Sequence, residues 1–255
     1  MKLHFFKTGE GFPVLILHGL FGLSDNWMTI SKSFAAEGFA IYGIDLRNHG
    51  RSPHSDEMNY PLMAEDILEF MNDHDLAKCD LIGHSMGGKT AMFFAAAHPD
   101  RIRKLIVVDI APRAYPPHHD SIIAVLESFR TEDLASRKEA EGFLRAGLQD
   151  EATIQFLLKN LYWNEQNKLA WRFNLNGIKN HISETGAPLP NENSIQVPTL
   201  FIRGENSGYI NSQDESDILK RFSNARIVTV AGAGHWVHAE KPAEFLRVAG
   251  EFLKN

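Results

Sequence analysis

The sequence predicts an α/β protein, a mostly parallel sheet covered on both faces by helices with a helical cap inserted into it. Three observations carry this expectation. Short apolar runs rich in β-branched residues recur along the chain without strict alternation, as strands covered on both faces require. Segments with apolar residues three and four apart separate these runs, and strand–helix alternation is the signature of a parallel sheet. The alternation is then interrupted once, between Ala111 and Gln196, by a stretch that is helical in pattern throughout.

In chain order, the strand runs are PVLILHG (13–19), FAIYGID (39–45), CDLIGHS (79–85), KLIVVDI (104–110), VPTLFIRG (197–204) and ARIVTVAG (225–232). NYPLMAEDILEFMNDHDL (59–76) and GGKTAMFFAAAHPDRI (87–102) read as helices between them. HDSIIAVLESF, LASRKEAEGFLRAGL and ATIQFLLKNLYW supply the helices of the interruption, which contains no convincing strand before Val197. This divides the chain into a core, 1–111 and 197–255, and a cap, 112–196. PPHH (116–119) and APLPNENS (187–194) read as its hinges, from their proline and small polar residues.

The bulk properties narrow the function classes. At 255 residues, 44% hydrophobic and 23% charged, the composition is that of an ordinary soluble globular protein with ample core. A formal net charge of −6 argues against nucleic acid or an anionic membrane surface as partner. The single cysteine, Cys79, allows no internal disulfide and reads as a small buried residue. The start, MKLHFFKTGEG, lacks a continuous apolar region of the signal-peptide kind, and 11–24 is too short and glycine-rich to span a bilayer. A cytoplasmic location with no membrane span is expected; oligomeric state is not legible.

The sharpest chemical signal is GHSMG (83–87), which matches G-x-S-x-G immediately after a strand run and before a helical one. That context is what a nucleophile elbow needs: the glycines permit a tight turn, which lifts the Ser85 hydroxyl clear of the backbone. A serine hydroxyl needs a base. His235, in GAGHWVHAEKP after the last strand, is the candidate, ahead of His238, which stands where the next helix begins. An oxyanion formed on acyl transfer needs donors. HGLFG (18–22) follows the first long strand, so the backbone N–H of Leu20 and that of Met86 are the candidate pair. Phe21, Trp163, Trp171 and Trp236 are candidates for an apolar substrate channel beneath the cap. His118 and His119 show no metal-ligand spacing and read as surface or cap residues.

HGLFG, DLRNHGRS (45–52), GHSMGGKTA (83–91) and GAGHWVHAEKP (232–242) fall in this order, and together they resemble the α/β-hydrolase superfamily over the whole chain. DLRNHGRS with its Asn48–His49, MNYPLMAEDI, VVDIAP and RGENSGYI are similar to the YbfF-type esterase branch, whose eukaryotic relatives are mitochondrial abhydrolases. The resemblance implies hydrolysis of acyl esters, and of acyl-CoA thioesters, with no metal or organic cofactor and a small-molecule acyl substrate as partner. It implies a bracing role for DLRNHGRS.

The catalytic acid is the open question. Many members of the superfamily carry it three residues after the glycine that ends the strand at 197–204, where this chain has Ser207. Asp109 ends the preceding strand and would be costly to bury unpaired; some α/β-hydrolases, the similar branch among them, place the acid there. Asp109 is therefore the expected acid, with Ser207 as a supporting hydrogen-bond partner and Glu205 as competitor. A carbon–carbon bond hydrolase or lyase on the same residues would want an anion site, for which Arg113, Arg130, Arg137, Arg145 and Arg172 are available. A non-catalytic ligand-binding protein is the reading from another class.

Overall fold

The computed structural model describes residues 1–116, 119–190 and 194–255, so parts of both expected hinges, 117–118 (with His118) and 191–193, lie outside the described residues. The first half contains strands β1 (Phe5–Thr8), β2 (Phe12–Leu17), β3 (Phe39–Ile44), β4 (Cys79–His84) and β5 (Ile102–Val108). Helices α1 (Met28–Ala36), α2 (Tyr60–Asp73) and α3 (Met86–Ala97) connect them. An insertion follows, with α4 (Asp120–Glu127), α5 (Arg137–Gly147), α6 (Glu151–Leu158), the short strands β6 (Leu161–Trp163) and β7 (Leu169–Trp171), and α7 (Leu175–Asn180). The chain closes with β8 (Thr199–Gly204), α8 (Ser212–Arg221), β9 (Ala225–Val230), α9 (Val237–Glu240) and α10 (Pro242–Lys254).

Seven strands form one sheet in the order β1-β3-β2-β4-β5-β8-β9, parallel except for β1, which runs antiparallel to β3 with Phe5 opposite Ile44. Side chains alternate between two cores, because successive Cβ atoms of a strand point to opposite faces. Leu15, Leu17, Leu81, Leu105, Val107 and Phe201 pack on one face with Ile67 and Phe70 of α2 and Met92 of α3. Val14, Ile16, Ile82, Ile106, Leu200 and Ile202 pack on the other with Phe34 of α1 and Phe245 and Phe252 of α10. Both faces being apolar is why these strands read as unbroken hydrophobic runs. Cys79 lies wholly in the first core, its Sγ 3.7 Å from Met71 Sδ, and burial pushes its thiol pKa up.

Two strand regions depart from the expectation. The edge strand β1 is four residues long and only partly buried, so FFKT carries too little pattern to be read before its pairing with β3 is known. The expectation of no strand between 111 and 197 is overturned by the β6–β7 hairpin. Three-residue strands are too short for a periodicity. Their turn is held by Asn164, whose Oδ1 accepts from the Gln166 and Lys168 amides at 3.0 and 2.9 Å, and by Asn167 at φ 54°. No helix among the described residues is long and apolar enough to cross a membrane.

Candidate active site

The strand order sets neighbouring C-terminal ends side by side, so the segments after β2, β4, β5, β8 and β9 converge on one edge of the sheet, where parallel α/β sheets place their ligands. Ser85 follows β4 directly and begins α3 with φ 53° and ψ −116°, a backbone conformation L side chains rarely hold. Its neighbours must be glycines. A Cβ on Gly83 would lie 2.2 Å from the Gly87 carbonyl oxygen, and one on Gly87 would lie 2.4 Å from that of Leu17.

Asp109 follows β5, also at positive φ (53°), and is completely buried. Its Oδ1 accepts the Gly204 amide at 3.1 Å; its Oδ2 accepts the Ser207 hydroxyl and lies 2.7 Å from His235 Nδ1. It is therefore His235, not His238, that meets a carboxylate, and the carboxylate is Asp109. Glu205 is turned away, accepting the Gly232 amide at 2.8 Å. His238 stacks on Trp27 at 3.8 Å, and burial, reinforced by His235, pulls its pKa down to about 3.

His235 is held from several sides. Tyr209, after β8, stacks on its ring at 4.0 Å and 20°. The His84 ring lies 4.7 Å away, and its Nε2 is 2.9 Å from the His235 carbonyl oxygen. His84 is itself buried, and its pKa is driven well below the ordinary value by desolvation first and then by His235 and His238. Its neutral Nε2–H donates to that carbonyl.

The HGLFG loop after β2 runs beside Ser85: a Cβ on Gly19 would come within 3.3 Å of Ser85 Cβ. His18 is 2.8 Å from the Gly19 carbonyl through Nδ1 and accepts the Leu46 amide at 3.0 Å through Nε2, so this loop is tied to DLRNHGRS. Asp45 accepts the Ser24 and Arg51 amides at 2.6 and 2.8 Å, and Arg47 forms a buried bidentate pair with Asp66 at 2.6 and 2.9 Å. DLRNHGRS braces the loop and lines no part of the cavity.

Ser85 and His235 open into a cavity of about 280 Å³ whose walls include Phe21, Trp27, Ile122, Phe156, Leu157 and Trp236. Of the aromatic residues expected there, Phe21 and Trp236 line it. Trp163 does not: it sits on the β6–β7 hairpin, 49% exposed, because that hairpin carries it out to the surface. Trp171 is also outside, stacked on Phe173 at 5.1 Å, which in turn meets Phe21 edge-on at 5.0 Å. His119, read from sequence as a surface or cap residue, lines the cavity. No arginine lines it among the described residues, and the cap arginines have other occupations. Arg113 pairs with Asp214, Arg130 with Glu132, Arg145 with Glu141 and Glu151; Arg137 binds the Leu158 and Leu161 carbonyls, and Arg172 covers the Tyr162 ring.

Sequence reasoning overlooked Tyr209 and Asn160. Asn160 Nδ2 donates to the Phe21 carbonyl at 2.8 Å, anchoring the HGLFG loop to the insertion. Neither residue has a local signature, since each acts across more than 25 residues of chain.

A family model for the alpha/beta hydrolase fold matches residues 13–242. The chain belongs to the α/β-hydrolase family. Among α/β-hydrolases of known sequence it is 39% identical to Esterase YbfF of Escherichia coli over 246 residues, 95% of this chain and 93% of that one. It is 39% identical to the sn-1-specific diacylglycerol lipase ABHD11 of Danio rerio over 254 residues, 96% of this chain and 80% of that one. Among solved α/β-hydrolases, a marine microorganism esterase superposes with a TM-score of 0.96 at 43% identity, covering 98% of this chain and 99% of that one.

Proposed function

We propose that this protein hydrolyses carboxylic esters through an acyl-enzyme formed on Ser85. The observation that carries the reading is the 2.7 Å approach of Asp109 Oδ2 to His235 Nδ1 beside an elbow serine that opens into the same cavity. The esterase and lipase names of its relatives support it. Ser85 Oγ attacks the ester carbonyl while His235 takes its proton. The Leu20 and Met86 amides receive the oxyanion, the role such donors play beside an elbow nucleophile. Collapse of the tetrahedral intermediate breaks the carbonyl–alkoxy bond, and His235 returns the proton to the departing alkoxide. Water then attacks the acyl-Ser85 carbonyl, losing its proton to His235, and the carboxylic acid leaves as Ser85 regains a proton. Asp109 holds His235 in the tautomer that carries hydrogen on Nδ1 and stabilises the imidazolium, while Ser207 and the Gly204 amide hold Asp109.

The insertion acts in this reading as a cap, since Ile122 of α4 and Phe156 and Leu157 of α6 roof the cavity. Thioesters react by the same steps, and the proposal extends to them on that chemical ground. The absence of arginine from the described cavity walls favours a neutral ester over the anionic substrate that a lyase would bind.

The test combines a fluorophosphonate probe with turnover of p-nitrophenyl acetate. Wild type is expected to be labelled and Ser85→Ala not; equal labelling overturns the nucleophile. Asp109→Asn is expected to lower kcat by about 10³-fold or more, because the wrong tautomer then faces Ser85. A rate near wild type overturns the acid.

A further inference from the structure

Ser85 borders two adjoining cavities of very different size, which share Leu20, His119 and Tyr209 as walls. The larger, of about 280 Å³, is lined by His235 itself. The smaller, of about 20 Å³, lies on the Met86 side and is bounded by Leu20, Tyr60, Met86, Ile110, Tyr115 and Tyr209. We propose that the small cavity is the acyl subsite and the large one the alcohol subsite, so that the enzyme's substrates are acetyl-type esters of bulky, apolar alcohols. This deepens the serine-hydrolase reading above and rests on it.

The chemistry assigns the sides. The oxygen that departs in the acylation step must take a proton from His235, so the alcohol has to begin within reach of that imidazole. Of the two cavities, the larger has His235 in its wall, and the apolar rings of Phe21, Trp27, Phe156 and Trp236 extend from there. The carbonyl oxygen faces the Leu20 and Met86 amides, and the acyl substituent then points to the remaining side, toward Tyr60, Ile110 and Tyr115.

That space is small and its walls are tied. At about 20 Å³ against about 280 Å³ it is more than tenfold smaller than its neighbour, so it accepts a short acyl group only. Tyr60, 2% exposed, donates its hydroxyl to the Thr185 carbonyl at 2.5 Å. The Tyr115 hydroxyl accepts the Ala111 amide at 2.8 Å and donates to the Tyr209 carbonyl, while the Tyr209 ring is stacked on His235. Ile110 and Met86 are 4% and 3% exposed. Widening the subsite for a longer acyl chain would break these bonds or disturb the catalytic imidazole. The alcohol subsite, by contrast, is large enough for a ring or a chain of several carbons.

The experiment measures kcat/KM for p-nitrophenyl acetate, butyrate and octanoate, and for ethyl and 1-naphthyl acetate, alongside fluorophosphonate labelling. One misfit methylene in an apolar pocket is worth about 10-fold or more in kcat/KM. Acetate is therefore expected to exceed butyrate by at least about tenfold, and 1-naphthyl acetate to exceed ethyl acetate. Ile110→Ala is expected to narrow the acetate-to-butyrate ratio by about tenfold. Tyr60→Leu, which opens the same subsite from a different element, should do the same if Ile110→Ala does not fold. Trp236→Ala is expected to change the alcohol series and leave the acyl ratio unaltered. Labelling of Ser85 with octanoate turned over as well as acetate, or an acyl ratio that responds to Trp236→Ala instead, overturns the partition while the hydrolase reading stands. Loss of both labelling and turnover in wild type overturns the two together.

Discussion

At the scale of single residues, the site stores strain and spends hydrogen bonds to hold its shape. Ser85 and Asp109 both sit at φ 53° without being glycine, and a non-glycine residue held in such a region costs about 1–3 kcal/mol. Ser85→Gly is accordingly expected to abolish probe labelling while raising the unfolding free energy by about 1 kcal/mol in a denaturant titration. A destabilised variant would sink the strain argument. Ser207 shares Asp109 Oδ2 with His235. Removing its hydroxyl is expected to lower kcat about tenfold in Ser207→Ala, with probe labelling kept and Ser207→Thr restoring most of the rate, because a hydrogen bond to a charged group is worth about 1.5–3 kcal/mol. Failure of the threonine to rescue would mean that Ser207 matters for packing alone. Ser85 and His235 could be picked out from sequence because each is flanked by glycines in its own segment. Tyr209 could not, since its stacking on His235 joins two loops far apart in the chain.

Among the elements, α3 links Ser85 to the insertion. Lys89, one turn after Ser85, is fully buried and donates to the carbonyls of Arg113 at 2.5 Å and Ala187 at 2.9 Å. These carbonyls belong to the two roots of the insertion, so one ammonium clasps its departure and its return. Desolvation, aided by Arg113 and Arg221, lowers the pKa of Lys89 to about 7. Lys89→Met preserves the stem but leaves two buried carbonyls without this donor, at about 1–3 kcal/mol each. The variant is expected to lose about 2 kcal/mol of stability and to exchange amide hydrogens faster at 113–115, 186, 187 and 189; unchanged exchange there would refute the clasp. Lys89 stands in the mostly apolar MGGKTAMFFAAA, and its role is not legible there because its partners lie 24 and 98 residues away. The β6–β7 hairpin escaped sequence reading for a different reason. Three residues cannot establish a period of two, and LYW continues the apolar spacing of α6.

Across the whole molecule, His18, His49, His84 and His238 are buried, and burial lowers the pKa of each. For His49 and His238 the values fall from 6.5 to about 3. Between those limits the unfolded chain binds protons that the folded chain refuses, so stability is lost as the pH falls below 6.5, by about 1.4 kcal/mol per pH unit for each such histidine. Thermal unfolding is expected to show Tm dropping steeply from pH 7 to pH 5, a range in which ordinary carboxylates do not yet titrate. A flat Tm over that range would contradict neutral burial. By itself the sequence determined the α/β alternation, the elbow at Ser85 and the histidine loop, because each is written in a contiguous segment whose period, glycines and polarity act over a few residues. Only the tertiary structure decided that Asp109 rather than Glu205 faces His235, that Trp163 stands outside the cavity, and that Ser85 borders both a small space and a large one. Those outcomes depend on which strand ends lie side by side and which loops turn inward, a matter of sheet order and packing between residues distant in the chain.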